Sequence, residues 1–513
     1  MVGIVRTYTT LGIDGFQLTL ECDASGESFG VNIVGMASNA VKESKDRIFA
    51  AVNNSGFKTP VRRFTINLAP ADIKKDSAAL DLPIAIAILQ SIKQIPEEYL
   101  TKTALIGELS LDGNLRPVNG VLPIALAAKK DGMDALVLPY ENADEAAIID
   151  GLNVIPVTSL RETVQYLRGE IDIAPASVDR DKIFSVLNDF KIDMSDVKGQ
   201  YQVKRALEVA AAGGHNLLMI GPPGSGKTML ARRVPTILPE LSLDEALEAT
   251  KIHSVAGYSK YFRNGILTTR PFRAPHHTIS DIALIGGGAF PRPGEVSLAH
   301  RGVLFLDELP EFKRGVLEVL RQPLEDGIVT ISRAASSLTF PAEFMLIASM
   351  NPCPCGYFGA NIPNHICNCD FGAIQRYRSK ISGPLLDRID IHVEVPTVSY
   401  AELSSLPSGD TSTEIRNRVN KARDIQRQRY AQEGIFCNAQ MSSKLLRKYC
   451  KLDLQSQALM QNAIDHLGYS ARVFDRILKV ARTIADLEEQ ENITSDHISE
   501  AIQYRTLDRK YWS

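Results

Sequence analysis

Gly221-Pro222-Pro223-Gly224-Ser225-Gly226-Lys227-Thr228 fits the pattern G-x-x-x-x-G-K-[ST] in full. The apolar run Leu217-Leu218-Met219-Ile220 before it reads as a buried strand, and Met229-Leu230-Ala231-Arg232-Arg233 after it reads as a helix. That strand–loop–helix setting turns a short pattern into a phosphate site. Glycines let backbone N–H groups curl around phosphate oxygens, and a helix N-terminus adds partial positive charge. In this reading Lys227 reaches the β- and γ-phosphates and the Thr228 hydroxyl ligates Mg²⁺. The residues Gly221, Pro222, Pro223, Gly224, Ser225, Gly226, Lys227 and Thr228 are therefore expected to bind ATP.

A hydrolytic half follows further along the chain. Gly302-Val303-Leu304-Phe305-Leu306-Asp307-Glu308 is an apolar run ending in two carboxylates, the form of a central parallel strand with a site at its C-terminal end. Asp307 is expected to hold Mg²⁺ together with Thr228, and Glu308 to polarise the attacking water. A third strand, Phe344-Met345-Leu346-Ile347-Ala348-Ser349-Met350, runs into Asn351, a neutral side chain able to orient the same water.

At 513 residues the chain should hold about three domains. An apolar content of 44% suits large buried cores, and the net charge of −3 argues against a bulk polycation. Any nucleic-acid contact must come from local basic features. No apolar run reaches the ~18–20 residues of a membrane span. Met1-Val2-Gly3-Ile4-Val5-Arg6 lacks the charged start and apolar core of an export signal, so the cytoplasm is the expected compartment. The expected organisation is multidomain α/β: an α+β domain over 1–170, a linker at 171–190, an ATPase core over 191–395, a linker at 396–412 and a helical domain over 413–513. The last is rich in Arg and Lys between Arg416 and Arg429.

Several longer stretches carry a family resemblance. Phe272-Arg273-Ala274-Pro275-His276-His277, Leu284-Ile285-Gly286-Gly287-Gly288 and Pro293-Gly294-Glu295-Val296-Ser297-Leu298-Ala299-His300 lead directly into the Asp307/Glu308 strand. With these the central block resembles AAA+ ATPases of the magnesium-chelatase branch, and the whole chain resembles the ComM/YifB family. The resemblance implies a P-loop core with two hairpin insertions, within 264–290 and 326–342, and a C-terminal helical lid. It also implies an ATP-dependent branch-migration DNA helicase of natural transformation, working as a homohexameric ring.

Two arginines enter through the same resemblance. Gly383-Pro384-Leu385-Leu386-Asp387-Arg388 matches the family's arginine-finger segment, so Arg388 is expected in a neighbouring subunit's ATP site. An ordinary ion pair with Asp387 or Asp390 is the alternative. Tyr469-Ser470-Ala471-Arg472 matches the lid's sensor segment, which implies that Arg472 touches the γ-phosphate of its own subunit. The N-terminal region resembles the Lon protease domain without its chemistry. Lys74-Lys75-Asp76-Ser77-Ala78-Ala79-Leu80-Asp81 places Ala79 at the nucleophile position, and Pro117-Val118-Asn119-Gly120-Val121-Leu122 places Leu122 at the lysine position. A serine nucleophile needs an adjacent base, so a scaffold rather than a protease is expected, with Ser77 the nearby hydroxyl.

Cys353-Pro354-Cys355 and Cys367-Asn368-Cys369 form two C-x-C pairs directly after Asn351. Four thiolates suit a closed tetrahedral Zn²⁺ site over 353–369; free thiols, with His365 as a substitute ligand, are the other reading. Arg270, Arg273, His276, His277 and Arg292 cluster around the first hairpin, and Arg333 lies near the tip of the second. In a ring these would line a pore and track a DNA backbone; solvated surface charges are the bland alternative. Two rival functions remain on sequence grounds: a chelatase motor for metal insertion, and a protein-remodelling ATPase.

Overall fold

The computed structural model describes residues 2–511 other than 37, 72–74, 76–77, 180–189, 260–261, 263–264, 289–290, 334–335, 361–364, 399–408, 468 and 508–510. Two compact units result, Met1–Leu187 with Leu243–Thr268, and Asn188–Ser242 with Thr269–Ser513.

The first unit is built on β1 (Val2–Leu11), β2 (Asp14–Ser25), β3 (Gly30–Val34), β4 (Arg63–Ala69), β5 (Thr103–Leu105), a small pair β6 (Glu108–Leu109) and β7 (Leu115–Arg116), β8 (Ala135–Pro139) and β9 (Asn153–Val157). Its mixed seven-stranded sheet has the order β3-β4-β2-β1-β5-β8-β9. Strand periodicity is plain in β2, where Leu18, Leu20, Cys22 and Ala24 are buried and their neighbours are not. These side chains join an apolar cluster with the helix Asp81–Ser91, which is buried along its whole length. A second cluster joins Tyr8 and Leu136 to the helix Val121–Lys130. Ala79 and Leu122 both lie in this second cluster, 3% and 0% exposed. The two positions matched to a Lon dyad thus meet as apolar packing. Lys74 and Ser77 lie outside the described residues.

The sequence reading assigns 191–395 to one ATPase core, but Leu243–Thr268 packs within the first unit. The buried face of its helix Leu243–Val255 carries Ala246, Ala249 and Ile252. The segment is fastened by polar bonds as well. Gly120 N–H donates to Ser254 O at 3.1 Å, and Ser254 Oγ donates to Glu145 Oε1. Glu145 Oε1 also accepts from Leu122 N–H at 2.9 Å. Burial pushes the Glu145 carboxyl up, against the pull of those hydrogen bonds. Gly265 has a φ of +71, and a Cβ there would stand 2.4 Å from the Glu145 backbone, so the close approach requires glycine.

The second unit holds β10 (Leu217–Ile220), β11 (Phe272–Arg273), β12 (Gly286–Gly287), β13 (Arg292–Pro293), β14 (Val303–Leu306), β15 (Ile328–Arg333), β16 (Ser336–Pro341), β17 (Met345–Met350) and β18 (Ile391–Glu394). Its main sheet is parallel, in the order β11-β14-β17-β10-β18. The strands β10, β14 and β17 are buried at every residue, as a sheet covered on both faces requires. The pair β15–β16 is an antiparallel hairpin inside the expected 326–342 span. The other short antiparallel pair, β12–β13, straddles the end of the expected 264–290 span, because the chain spends its first residues in the first unit and in β11.

Five helices, Ser412–Arg429, Ser443–Tyr449, Leu454–Leu467, Ala471–Leu487 and Ser495–Gln503, follow the sheet. Thr411 opens the first of them with a reciprocal cap: Glu414 N–H donates to Thr411 Oγ1 at 3.2 Å, and Thr411 N–H to Glu414 Oε2 at 2.7 Å. One apolar cluster runs from Leu217 and Ile347 of the sheet to Ile415, Val473 and Ile484 of these helices. Basic residues of Ser412–Arg429 make ion pairs: Arg429 with buried Asp486, and Arg418 with Glu208 and Asp410. No helix among the described residues is long and apolar enough to cross a membrane.

Candidate functional site

Parallel pairing aligns the C-terminal ends of β10, β14 and β17, so the loops leaving them meet. Gly224 and Gly226 take φ of +76° and +91°, values that side chains resist. Gly226 leads straight into the helix Lys227–Ile237, whose first N–H groups have no partners within the helix. Lys227 Nζ donates to Gly221 O at 2.7 Å, to Pro222 O at 2.8 Å and to Asn351 Oδ1 at 3.2 Å. Burial pushes this ammonium down to about 8, with Asp307 and Glu308 pulling the other way.

The carboxylate pair sits alongside. Thr228 Oγ1 donates to Asp307 Oδ2 at 2.7 Å. Ser349 Oγ donates to Asp307 Oδ1, and Glu308 N–H donates to Ser349 Oγ at 3.3 Å. A hydroxyl beside a carboxylate is an all-oxygen donor set of the kind Mg²⁺ takes, Thr228 as a ligand and Asp307 through the metal's water shell. Sequence reading passed over Ser349. Its signal was a lone hydroxyl in an otherwise apolar strand. Glu308 holds a φ of +55° and keeps its carboxylate half-exposed, with His277 Nδ1 3.7 Å away. The His276 and His277 rings pack at a tilt, their centroids 4.1 Å apart.

Arg388 lies apart from that convergence. Its guanidinium is nearly buried, donates to Pro384 O at 2.7 Å and pairs with Glu325. The alternative partner Asp390 is instead held by Arg476, by His215 Nδ1 at 3.2 Å and by Asn216 N–H at 3.2 Å. The Glu325 carboxyl is held below the usual carboxylate range by its hydrogen bond to Arg388, and further by Arg472 and Arg321 nearby. Arg388 thus makes the ion pair with Glu325, and Arg472 adds only a weaker charge effect on the same carboxylate.

The four cysteines come together. Cys353 Sγ lies 3.3 Å from Cys355 Sγ and 3.8 Å from Cys367 Sγ, with Cys355 and Cys367 3.6 Å apart. All four sulfurs, including that of Cys369, lie within 4.8 Å of one another. A Zn–S length near 2.3 Å in a tetrahedron separates sulfurs by ~3.8 Å, so the set fits one Zn²⁺. Phe358 N–H also donates to Cys353 Sγ at 3.3 Å. His365, the substitute ligand, stacks on Tyr357 at 4.6 Å instead.

The basic residues of the hairpin region divide. Arg273, expected among the DNA contacts, makes a two-pronged pair with Glu295, at 2.6 and 2.7 Å. Arg270 is likewise spent, donating to Pro239 O at 2.6 Å and Arg301 O at 2.7 Å. Arg292 in β13 is exposed. The backbone of Arg333 ends β15, and its side chain lies outside the described residues.

Comparison with known proteins follows this geometry. The family described as Magnesium chelatase, subunit ChlI matches residues 193–403; Subunit ChlI of Mg-chelatase matches 20–142; Magnesium chelatase, subunit ChlI C-terminal matches 409–505. The chain is 41% identical to the Competence protein ComM of Haemophilus influenzae over 514 residues, covering 99% of this chain and 98% of that one. It is 42% identical to the Uncharacterized protein YifB of Escherichia coli over 513 residues, again covering 99% and 98%. Lon protease 2 of Bacillus subtilis is similar over a shorter stretch, 27% identical across 185 residues, which is 32% of this chain and 33% of that protein.

Proposed function

The chain belongs to the ComM/YifB family of magnesium-chelatase-like AAA+ proteins, and from that premise we propose that it is an ATP-hydrolysing motor that moves along DNA as a hexameric ring. The observation that carries the ATPase reading is the meeting of Lys227 with Asn351 and of Thr228 with Asp307 at the ends of three parallel strands. The loop's N–H groups and Lys227 grip the triphosphate. Thr228 and Asp307 would hold Mg²⁺, which would neutralise phosphate charge there. Ser349 fixes the Asp307 carboxylate, Asn351 positions the attacking water, and Glu308 accepts its proton. Arg388, paired with Glu325, and Arg472, whose charge also reaches that carboxylate, serve the neighbouring subunit's ATP together in this reading, so that a ring is needed for full activity. This departs from the resemblance, which gave Arg472 to its own subunit.

The DNA part of the reading is supported by the full-length similarity to a competence protein and by the exposed Arg292 on a hairpin. The substrate is a branched or strand-exchange DNA of natural transformation, gripped through Arg292 and Arg333 with His276 and His277 beside them. Four cysteines would hold a structural Zn²⁺, and cysteines that form no disulfide suit a reducing cytoplasm. The test is the ATPase rate with and without single-stranded, duplex and branched DNA. Stimulation greatest with branched DNA is expected. A rate indifferent to every DNA would return the motor to the chelatase or protein-remodelling class, the former favoured by the chelatase family match.

A further inference from the structure

The four-cysteine site stands two residues beyond Asn351, and its knuckle is wedged into the nucleotide loop. The chain runs from β17 through Asn351 and Pro352 directly into Cys353. Three residues on, Gly356 turns with a φ of +89°, its N–H donating to Cys353 O at 3.0 Å. A Cβ at Gly356 would stand 2.5 and 2.6 Å from the ring carbons of Pro223, and 3.9 Å from Asn351 Cγ. Gly356 therefore packs closely against the Pro223 ring of the loop that cradles phosphate, and beside the side chain bonded to Lys227.

The base of the knuckle is clamped from behind. Arg378 donates to Pro352 O through Nε at 3.1 Å and Nη2 at 2.9 Å. Its guanidinium lies over the Tyr511 ring at 4.3 Å and the Phe358 ring at 5.2 Å. With the base fixed, the free variable is the tip, Cys355-Gly356. Its position depends on what holds four sulfurs within 4.8 Å of one another. A thiophilic divalent cation does so by cancelling thiolate repulsion and closing the tetrahedron. Without it the tip is released from Pro223 and Asn351.

Resting on the zinc reading above, we propose that metal occupancy of the Cys353/Cys355/Cys367/Cys369 site sets the shape of the nucleotide loop, so that the bound ion is a positive regulator of ATP binding. The ion touches neither ATP nor Mg²⁺. It acts through Gly356 on Pro223 and on the Asn351 side chain beside it.

The experiment uses the full-length protein. Zinc content is measured by elemental analysis, and affinity for a fluorescent ATP analogue by titration with Mg²⁺ present. Three samples are compared: as purified, stripped with a thiol-displacing reagent and chelator, and stripped then reloaded with Zn²⁺. Stripping should weaken nucleotide binding at least ~10-fold, and reloading should restore it. Gly356→Ala should keep its full zinc and still bind the analogue at least ~10-fold more weakly, because the added methyl displaces Pro223. Where stripping unfolds the chain, as judged by circular dichroism, Gly356→Ala alone decides. Zinc present with affinity unchanged on stripping, or a zinc-loaded Gly356→Ala protein with wild-type affinity, overturns the coupling and leaves the metal site standing. A wild-type protein that neither carries nor takes up zinc overturns the metal reading and the coupling with it.

Discussion

Lys227 and Glu308 do different work within one site, and single substitutions separate them. Lys227→Ala removes the ammonium that donates to Asn351 and reaches the phosphates, so ATP affinity itself should fall. Glu308→Gln keeps the loop and the Thr228–Asp307 pair, so ATP should bind while hydrolysis slows at least ~10²-fold, the scale of a lost general base. Equilibrium nucleotide binding beside steady-state turnover distinguishes the two; wild-type turnover in Glu308→Gln would remove that residue from its role. Asp390 is a structural counterpart. Burial alone would push its carboxyl up, but Arg476 and His215 overcome that and hold it well below the usual carboxylate range. A depressed carboxyl stabilises the fold above its unfolded pKa of about 3.9 and loses that contribution as pH falls below it. Asp390→Asn leaves Arg476 uncompensated and should cost roughly 3–5 kcal/mol. Urea unfolding near neutral pH would register the loss, and the gap to wild type should narrow toward pH 3.

At the scale of elements, local signals carried the nucleotide site. Glycine positions, an apolar run and a terminal acid pair are all read within a few residues, and the structure brings Lys227, Thr228, Asp307 and Asn351 together. Signals that depend on a partner elsewhere did not carry. The helix Leu243–Val255 shows an apolar face, but nothing in its pattern says that the face belongs on the first unit. Arg273 looked like a free cation because Glu295, twenty-two residues on, is joined to it only by the fold. The same distinction sorts the hairpin arginines. Arg292→Ala and Arg333→Ala should weaken DNA binding and shallow the slope of log affinity against log salt by about one unit per contact. Arg273→Ala should instead lower the unfolding midpoint and leave that slope alone. Fluorescence anisotropy across a salt series, with thermal melts, tests both; an unchanged slope in the first two would move the DNA path off the hairpins.

For the whole molecule, the proposal that Arg388 and Arg472 both serve a neighbour's ATP predicts how defective subunits rescue one another. Mixing Arg388→Ala with Glu308→Gln subunits should restore part of the ATPase activity, at interfaces where an intact Glu308 meets an intact Arg388. Mixing Arg388→Ala with Arg472→Ala should restore none, because each neighbour then presents one missing arginine. Rescue in that second mixture would return Arg472 to its own subunit's ATP. The excursion of Leu243–Thr268 bears on the order of synthesis. A nascent chain that has emerged only to Leu187 lacks the segment carrying Ser254 and Gly265. The ribosome must first deliver the phosphate loop before the N-terminal unit can close around its last helix. Neither unit is a contiguous gene fragment: one cut at Asn188 would leave the upstream product without the Ser254 hydroxyl that donates to Glu145.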